Sequence, residues 1–193
     1  MTEQELYTYH EETFKPIYAD LVAVLASKPE QIVFELEAAL SHVAVAKTNP
    51  DLYDDNINKA FGHLQRAALD AAKMLWLEHR KRVNDVVLDR DIRAFAFNAS
   101  EKELLEKYQQ SESLAQQARK TELSNTGRNL REAIDLYYSA AESFDSILGL
   151  LDTTKVSNVA HFKKKIKTKE HFISFLIGCA SSAIVAILIA IFA

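Results

Sequence analysis

Residues 57–76 read INKAFGHLQRAALDAAKMLW, and this stretch decides the fold class. Ile57, Phe61, Leu64, Ala68, Ala71 and Leu75 follow one another in steps of 4, 3, 4, 3 and 4. Alternating threes and fours keep one side of an α-helix apolar, as helices packed side by side require. The same rhythm returns in NLREAIDLYYSAAESFDSILGLL (129–151), through Leu130, Ile134, Tyr137, Ala141, Phe144, Leu148 and Leu151. A shorter version runs through Val33, Leu36, Leu40 and Val43. Strand-type alternation is missing over any useful length. The expected fold is all-α: an antiparallel helical bundle of about six helices, then a single C-terminal transmembrane helix.

Breakers and caps set the boundaries. Thr2-x-x-Glu5 and Ser100-x-x-Glu103 each match the capping box that opens a helix. Pro16, Pro29 and Pro50 stand where a proline begins or interrupts one. Helices are expected near 3–14, 17–27, 30–47, 52–82, 101–122 and 128–151, with a short piece at 86–96 and a last helix from about 157. The clearest turn in the second half is TELSNTGRN, around Gly127. One internal echo stands out: AALSHVAVAK (38–47) and KAFGHLQRAA (59–68) both centre on a histidine among small and aliphatic residues.

Composition agrees with this class. Of 193 residues, 48% are apolar and 26% charged, and only four glycines and three prolines occur, so turns are few and helices long. Cys179 is the single cysteine, which excludes an internal disulfide framework. The N-terminus MTEQELYTYHEE is acidic where a secretory leader is basic and then apolar.

The net charge of −4 hides a division. Lys163, Lys164, Lys165, Lys167 and Lys169 form a basic collar with Glu170 as its one acid. Elsewhere 18 basic residues face 26 acidic ones, a net of −8. An acidic head is a poor general binder of nucleic acid.

After the collar, Phe172 to Ala193 is a run of 22 residues without a charge. At ~1.5 Å per residue it reaches about 33 Å, close to the ~30 Å hydrocarbon core of a bilayer. Lysines beside such a span favour the cytoplasmic side. The expected organisation is a cytosolic helical bundle at 1–156, a basic juxtamembrane segment at 157–170 and a transmembrane helix at 171–193. This makes a single-pass tail anchor with the N-terminal head in the cytoplasm. Within the span Ser174, Gly178, Ser182, Ala186 and Ala190 recur every fourth residue. Small side chains along one ridge let helix backbones approach, so this ridge is the candidate packing surface for a homo-oligomer. With Ser181 it supplies hydroxyls for the lining of a pore.

Chemistry is harder to find. The histidines are His10, His42, His63, His79, His161 and His171, and none has an acid three residues before it, so the Glu-x-x-His pairs of di-iron bundles are missing. Helical nucleases of the HEPN type carry an arginine one to two turns before a histidine. No histidine here has an arginine five to seven residues ahead, and Lys155 before His161 is only an imitation. Four scattered glycines make no phosphate-binding loop. No catalytic residue, cofactor or metal is therefore expected. Were the chain an enzyme, His42, His63 and Asp70 would be the residues to mutate first, although the two histidines read as hydrogen-bonded boundary residues on neighbouring helices. Arg66, Asp70 and Lys73 form a charge ladder along one helix face. With Arg80, Lys81 and Arg82 they are the candidates for contact with an anionic ligand or a second subunit.

A helical head with no readable catalytic site, joined to one self-associating span, resembles the membrane-disrupting effectors of bacterial antiviral systems. That is an analogy of architecture. The leading expectation is a membrane-anchored protein that self-associates through its span. Its head would sense a cytosolic protein or a small anionic ligand and act on membrane lipids, with pore formation as the end result. The alternatives are a tail-anchored adaptor that tethers a soluble partner, and a HEPN-like scaffold without the catalytic motif.

Overall fold

The computed structural model describes residues 2–124 and 130–159, together with 161, 163–165, 169, 173 and 174. Among these residues the chain is helical. The helices are α1 (Glu3–Tyr9), α2 (Lys15–Leu25), α3 (Glu30–Thr48), α4 (Tyr53–Val87), α5 (Arg90–Phe95), α6 (Glu101–Ser124) and α7 (Arg131–Leu148). Residues 153–159 are helical as well. There is no strand among the described residues, only an isolated antiparallel bridge between Phe97 and Leu151. The turn expected around Gly127 falls at 125–129, outside the described residues.

The caps act as their spacing predicts. Thr2 accepts from the Glu5 N–H at 3.2 Å and its own N–H donates to Glu5 at 2.7 Å. Ser100 accepts from the Glu103 N–H at 3.2 Å. Pro16 behaves differently from expectation, because the chain is helical from Glu3 to Leu25 without a break. Residues His10–Phe14 form a π turn, in which the Lys15 N–H reaches the His10 carbonyl. A wider turn just ahead of the proline eases the clash between its ring and the preceding carbonyls. The run stops at Ala26, held in the left-handed region at φ 54°. α7 ends at Leu148, so Leu151 lies beyond the helix that its spacing suggested.

The chain divides into two compact units. One comprises residues 1–88 and 99–150, the other 89–98 and 151–193.

In the first unit α4 is the central element, packed by α1, α2, α3 and α7. Its 35 residues extend about 52 Å at ~1.5 Å each. Of the predicted stripe, Ile57, Leu64, Ala68, Ala71 and Leu75 are buried and Phe61 is half-buried, edge-on to Tyr9 at 4.9 Å. Burial does not stop at one face. Ala60, Ala67, Ala72, Trp76, Val83 and Val87 are buried too. The reason is the alanine content: small side chains at 67, 68, 71 and 72 let several helices approach one rod.

Pairs of touching residues give the directions. Glu122 and Glu112 of α6 hold Lys73 and Arg80 of α4, and Tyr108 donates to Asn84, so α6 runs antiparallel to α4. Ser111 donates to Ser143 at 2.7 Å across an antiparallel α6–α7 pair. α7 then runs parallel to α4, with Tyr137 against Trp76 and Asp145 beside His79. Its stripe Ile134, Tyr137, Ala141 and Phe144 is buried as expected.

α3 departs from its expected face. Leu40 is 69% exposed, and Val33, Leu36 and Val43 are only half-buried. The stripe turned to α4 is Ile32, Glu35, Ala39, His42 and Ala46, which also steps by threes and fours. Ile32 and Ala46 are buried, and Glu35 and His42 bond to α4. α3 has α4 as its main neighbour, so the Leu36–Leu40 flank is left facing outward.

In the second unit Asp89 caps α5, accepting from the N–H groups of Asp91 and Ile92. Lys163 donates to both oxygens of Asp89 at 2.8 Å and sits 3.0 Å from Asp91. Lys155 donates to Asn98 at 2.7 Å, and the Asp152 N–H to the Ala96 carbonyl at 2.8 Å. Among the described residues no helix is long and apolar enough to cross a membrane. The expected span lies, from Phe175 onward, outside the described residues.

Candidate functional site

The inward stripe of α3 places two charged or titratable side chains on α4, and a polar cluster results. The imidazoles of His42 and His63 stack with centroids 5.2 Å apart and planes 24° from parallel. His42 Nδ1 lies 2.8 Å from Asn56 Oδ1, and the Asn56 amide is oriented by its own donation to the Leu52 carbonyl at 2.9 Å. With Oδ1 fixed as acceptor, His42 carries its proton on Nδ1. His63 Nδ1 lies 2.8 Å from Glu35 Oε2 and 2.8 Å from a terminal nitrogen of Arg66. A carboxylate only accepts and a guanidinium only donates, so this nitrogen serves one partner at a time. Arg66 Nε also donates to Glu35, at 3.2 Å.

The arrangement has an approximate two-fold relation. Glu35 precedes His42 by seven residues, and Asn56 precedes His63 by seven. Each histidine is held by the residue two turns ahead of the other, across an antiparallel helix pair. This accounts for the echo between 38–47 and 59–68. Both rings behave as boundary histidines with hydrogen bonds. Among the described residues no group of three or more potential ligands is placed to hold a metal ion.

Asp70 is not part of this cluster. It accepts from Gln31 of α3, and burial raises its carboxyl while that bond lowers it. The expected ladder of Arg66, Asp70 and Lys73 does not pair along α4, because each member reaches another helix: Glu35, Gln31 and Glu122 respectively. The basic end of α4 disperses likewise. Arg80 is held by Glu112 and lies 5.7 Å over the Trp76 ring, and the Glu112 bond raises its pKa further. Arg82 donates to Glu78 at 3.1 Å and to the Val24 carbonyl. Arg80 and Lys81 do share a cavity of about 600 Å³ with Met74 and Leu77, which Arg82 does not line. Within it Lys81, among the described residues, makes no ion pair.

Of the basic collar, Lys163 is bound by Asp89 and Asp91, and the Asp89 bond raises its pKa. Lys165 and Lys169 are exposed, and Lys167 lies outside the described residues. Asp89 and Asp91 alternate with Arg90 in the sequence. They neutralise a different cation, 72 or more positions on, and no local spacing signals that. In the small-residue ridge Ser174 is described and exposed, while Gly178, Ser182, Ala186 and Ala190 lie outside the described residues.

One group was missed altogether. Asp20 of α2, His79 of α4 and Tyr138, Glu142 and Asp145 of α7 line a cavity of about 430 Å³. Tyr138 donates to Asp20 at 2.7 Å. No linear motif could have found it, since its members come from three separate helices.

Comparison with protein families, curated proteins and solved structures found no match to this chain.

Proposed function

We propose that the chain is a membrane-anchored helical protein. Residues 171–193 lie in the bilayer, the lysine collar rests at its cytoplasmic surface and residues 1–156 form a cytosolic head. Copies associate through the ridge of Ser174, Gly178, Ser182, Ala186 and Ala190. Association couples a ligand or partner bound by the head to perturbation of the bilayer, up to a pore.

The observation that carries this reading is the run Phe172–Ala193, 22 residues without a charge that begin three positions after the last of five clustered lysines. A segment of that length and polarity is stable where backbone groups are paired within the helix and the surroundings are apolar. Self-association follows from the fourfold spacing of small residues, because lipid gives two smooth apolar helices little other reason to pair.

The test is oxidative crosslinking at Cys179 in native membranes, paired with dye release from liposomes carrying the full chain. The expected outcome is a disulfide-linked dimer that Gly178→Ile weakens, with dye release falling in step. A strictly monomeric pattern would overturn the self-association. Recovery of the full chain in the soluble fraction would overturn the anchor.

A further inference from the structure

α3 and α4 run antiparallel, with His42 beside Asn56, Glu35 beside Arg66 and Gln31 beside Asp70. The first turn of α3 therefore stands opposite Asp70, while α4 runs on to Val87. The side of α4 that α3 covers continues past Asp70 through Met74, Leu77 and Lys81, again in threes and fours. With Leu25 at the end of α2, these residues line a cavity of about 600 Å³, in which Leu77 is 50% exposed. Of the charged residues in this slot, Arg80 is held by Glu112 and Glu78 by Arg82. Lys81, and Asp85 one turn beyond it, make no ion pair among the described residues.

α3 carries an outward face of matching character. Phe34 is 63% exposed, with Glu30 four residues before it and Glu37 three after, so the three share one side of the helix. Both glutamates are exposed and make no ion pair among the described residues. No Lys or Arg occurs from Pro29 to Ala46. This face is apolar and acidic, and the slot beside Leu77 is apolar and basic.

We propose that the Phe34 face of one copy docks in the α4 slot of a second copy of this chain. Phe34 packs on Leu77, with Met74 and Leu25 as the wall. Lys81 lies one turn from Leu77, so a glutamate meets it whichever way the helices run: Glu37 if they are parallel, Glu30 if antiparallel. Asp85, a turn further on, then meets Ser41 or the Lys28 stretch ahead of α3 and no glutamate. The occupant is a second copy because every chain offers both surfaces, and they complement each other in charge around apolar anchors. Such a contact is heterologous and generates a ring when its rotation closes. From Met74 to Asp85 the slot extends only about 17 Å, short for the ~800 Å² per partner of a freestanding interface. The docking therefore rests on the membrane association proposed above, which holds copies at high local concentration.

The test mixes unlabelled and isotope-labelled full chains, reconstitutes them in liposomes and treats them with a zero-length carbodiimide. Mass spectrometry should find Lys81 joined to Glu30 or Glu37 with one label in each half, and the glutamate used gives the helix direction. Lys81→Glu should abolish the product. Adding Glu30→Lys and Glu37→Lys should restore it with the charges exchanged. Phe34→Ser should lower the yield at least about tenfold, as for an interface anchor, with the melting temperature unchanged. Oxidation at Cys179 in the same liposomes reports the span separately. A Cys179 dimer with no mixed-label Lys81 product overturns the docking and leaves the span contact standing. The Lys81 product without a Cys179 dimer upholds the docking and moves the association from span to head. Products carrying one label only, or an unchanged yield in Phe34→Ser, overturn the docking.

Discussion

α3 and α4 carry the same apolar rhythm and the same histidine-centred echo, yet they are used in opposite ways. α4 is buried on several sides, and α3 turns its most apolar flank outward. The difference is the number of neighbours. A helix with several partners hides almost any apolar residue it carries. A helix with one main partner hides a single stripe, and in α3 that stripe includes a glutamate and a histidine because α4 offers matching polar groups. Periodicity therefore reports that a side can be buried. Which side is buried depends on what stands opposite.

The sharpest way to break this comparison is a matched pair of truncations. Leu75→Ala, at a position 2% exposed, should cost about 2–5 kcal/mol of head stability. Leu40→Ala, on the open flank, should stay within about 0.5 kcal/mol. Chemical denaturation of each variant measures both, and equal costs would refute the assignment of faces in α3.

A middle-sized effect is expected at the polar seam. Asn56→Ala removes the acceptor of His42 and leaves a half-buried donor without a partner, at about 1–3 kcal/mol. The loss should be smaller when His42 is replaced by Phe as well, since the orphaned donor is then gone. A double-mutant cycle reads that coupling directly.

The smallest effect concerns the histidine outside the seam. His79 has a lowered pKa in the folded head, so the unfolded chain takes up its proton first as pH falls below about 6.5. Its contribution is fully present above that value and is lost as pH drops towards the folded pKa. Denaturation between pH 8 and 5 should show stability declining on the acid side, with a shallower decline in His79→Gln. An identical slope in both proteins would mean that other groups set the dependence.

Much of the scaffold could be read in advance, for reasons that the residues make plain. Ile57 to Leu75 and Ile134 to Phe144 lie on helices whose apolar faces meet other apolar faces, so local rhythm and final packing agree. Thr2 and Ser100 act within their own turn, where spacing alone is enough. Leu40 was misplaced because Glu35 and His42 disguised the true stripe. The stacking of His42 on His63 was half-visible in the echo, but the roles of Asn56 and Glu35 appear only once the helices are paired. The cavity around His79 left no trace in the sequence, since Asp20 and Tyr138 are 118 positions apart. Long-range polar contacts are made by the fold, and no local window contains both partners.

The π turn at His10–Phe14 leaves a mark on the written chain. Tyr9 and Phe14 both point inward although five positions separate them, one more than an ordinary turn allows. A homologue lacking one residue there could wind as a plain α-helix and still present the same inward surface. Alignments across this segment should therefore tolerate a single gap, and that gap would mark where the wider turn had been lost.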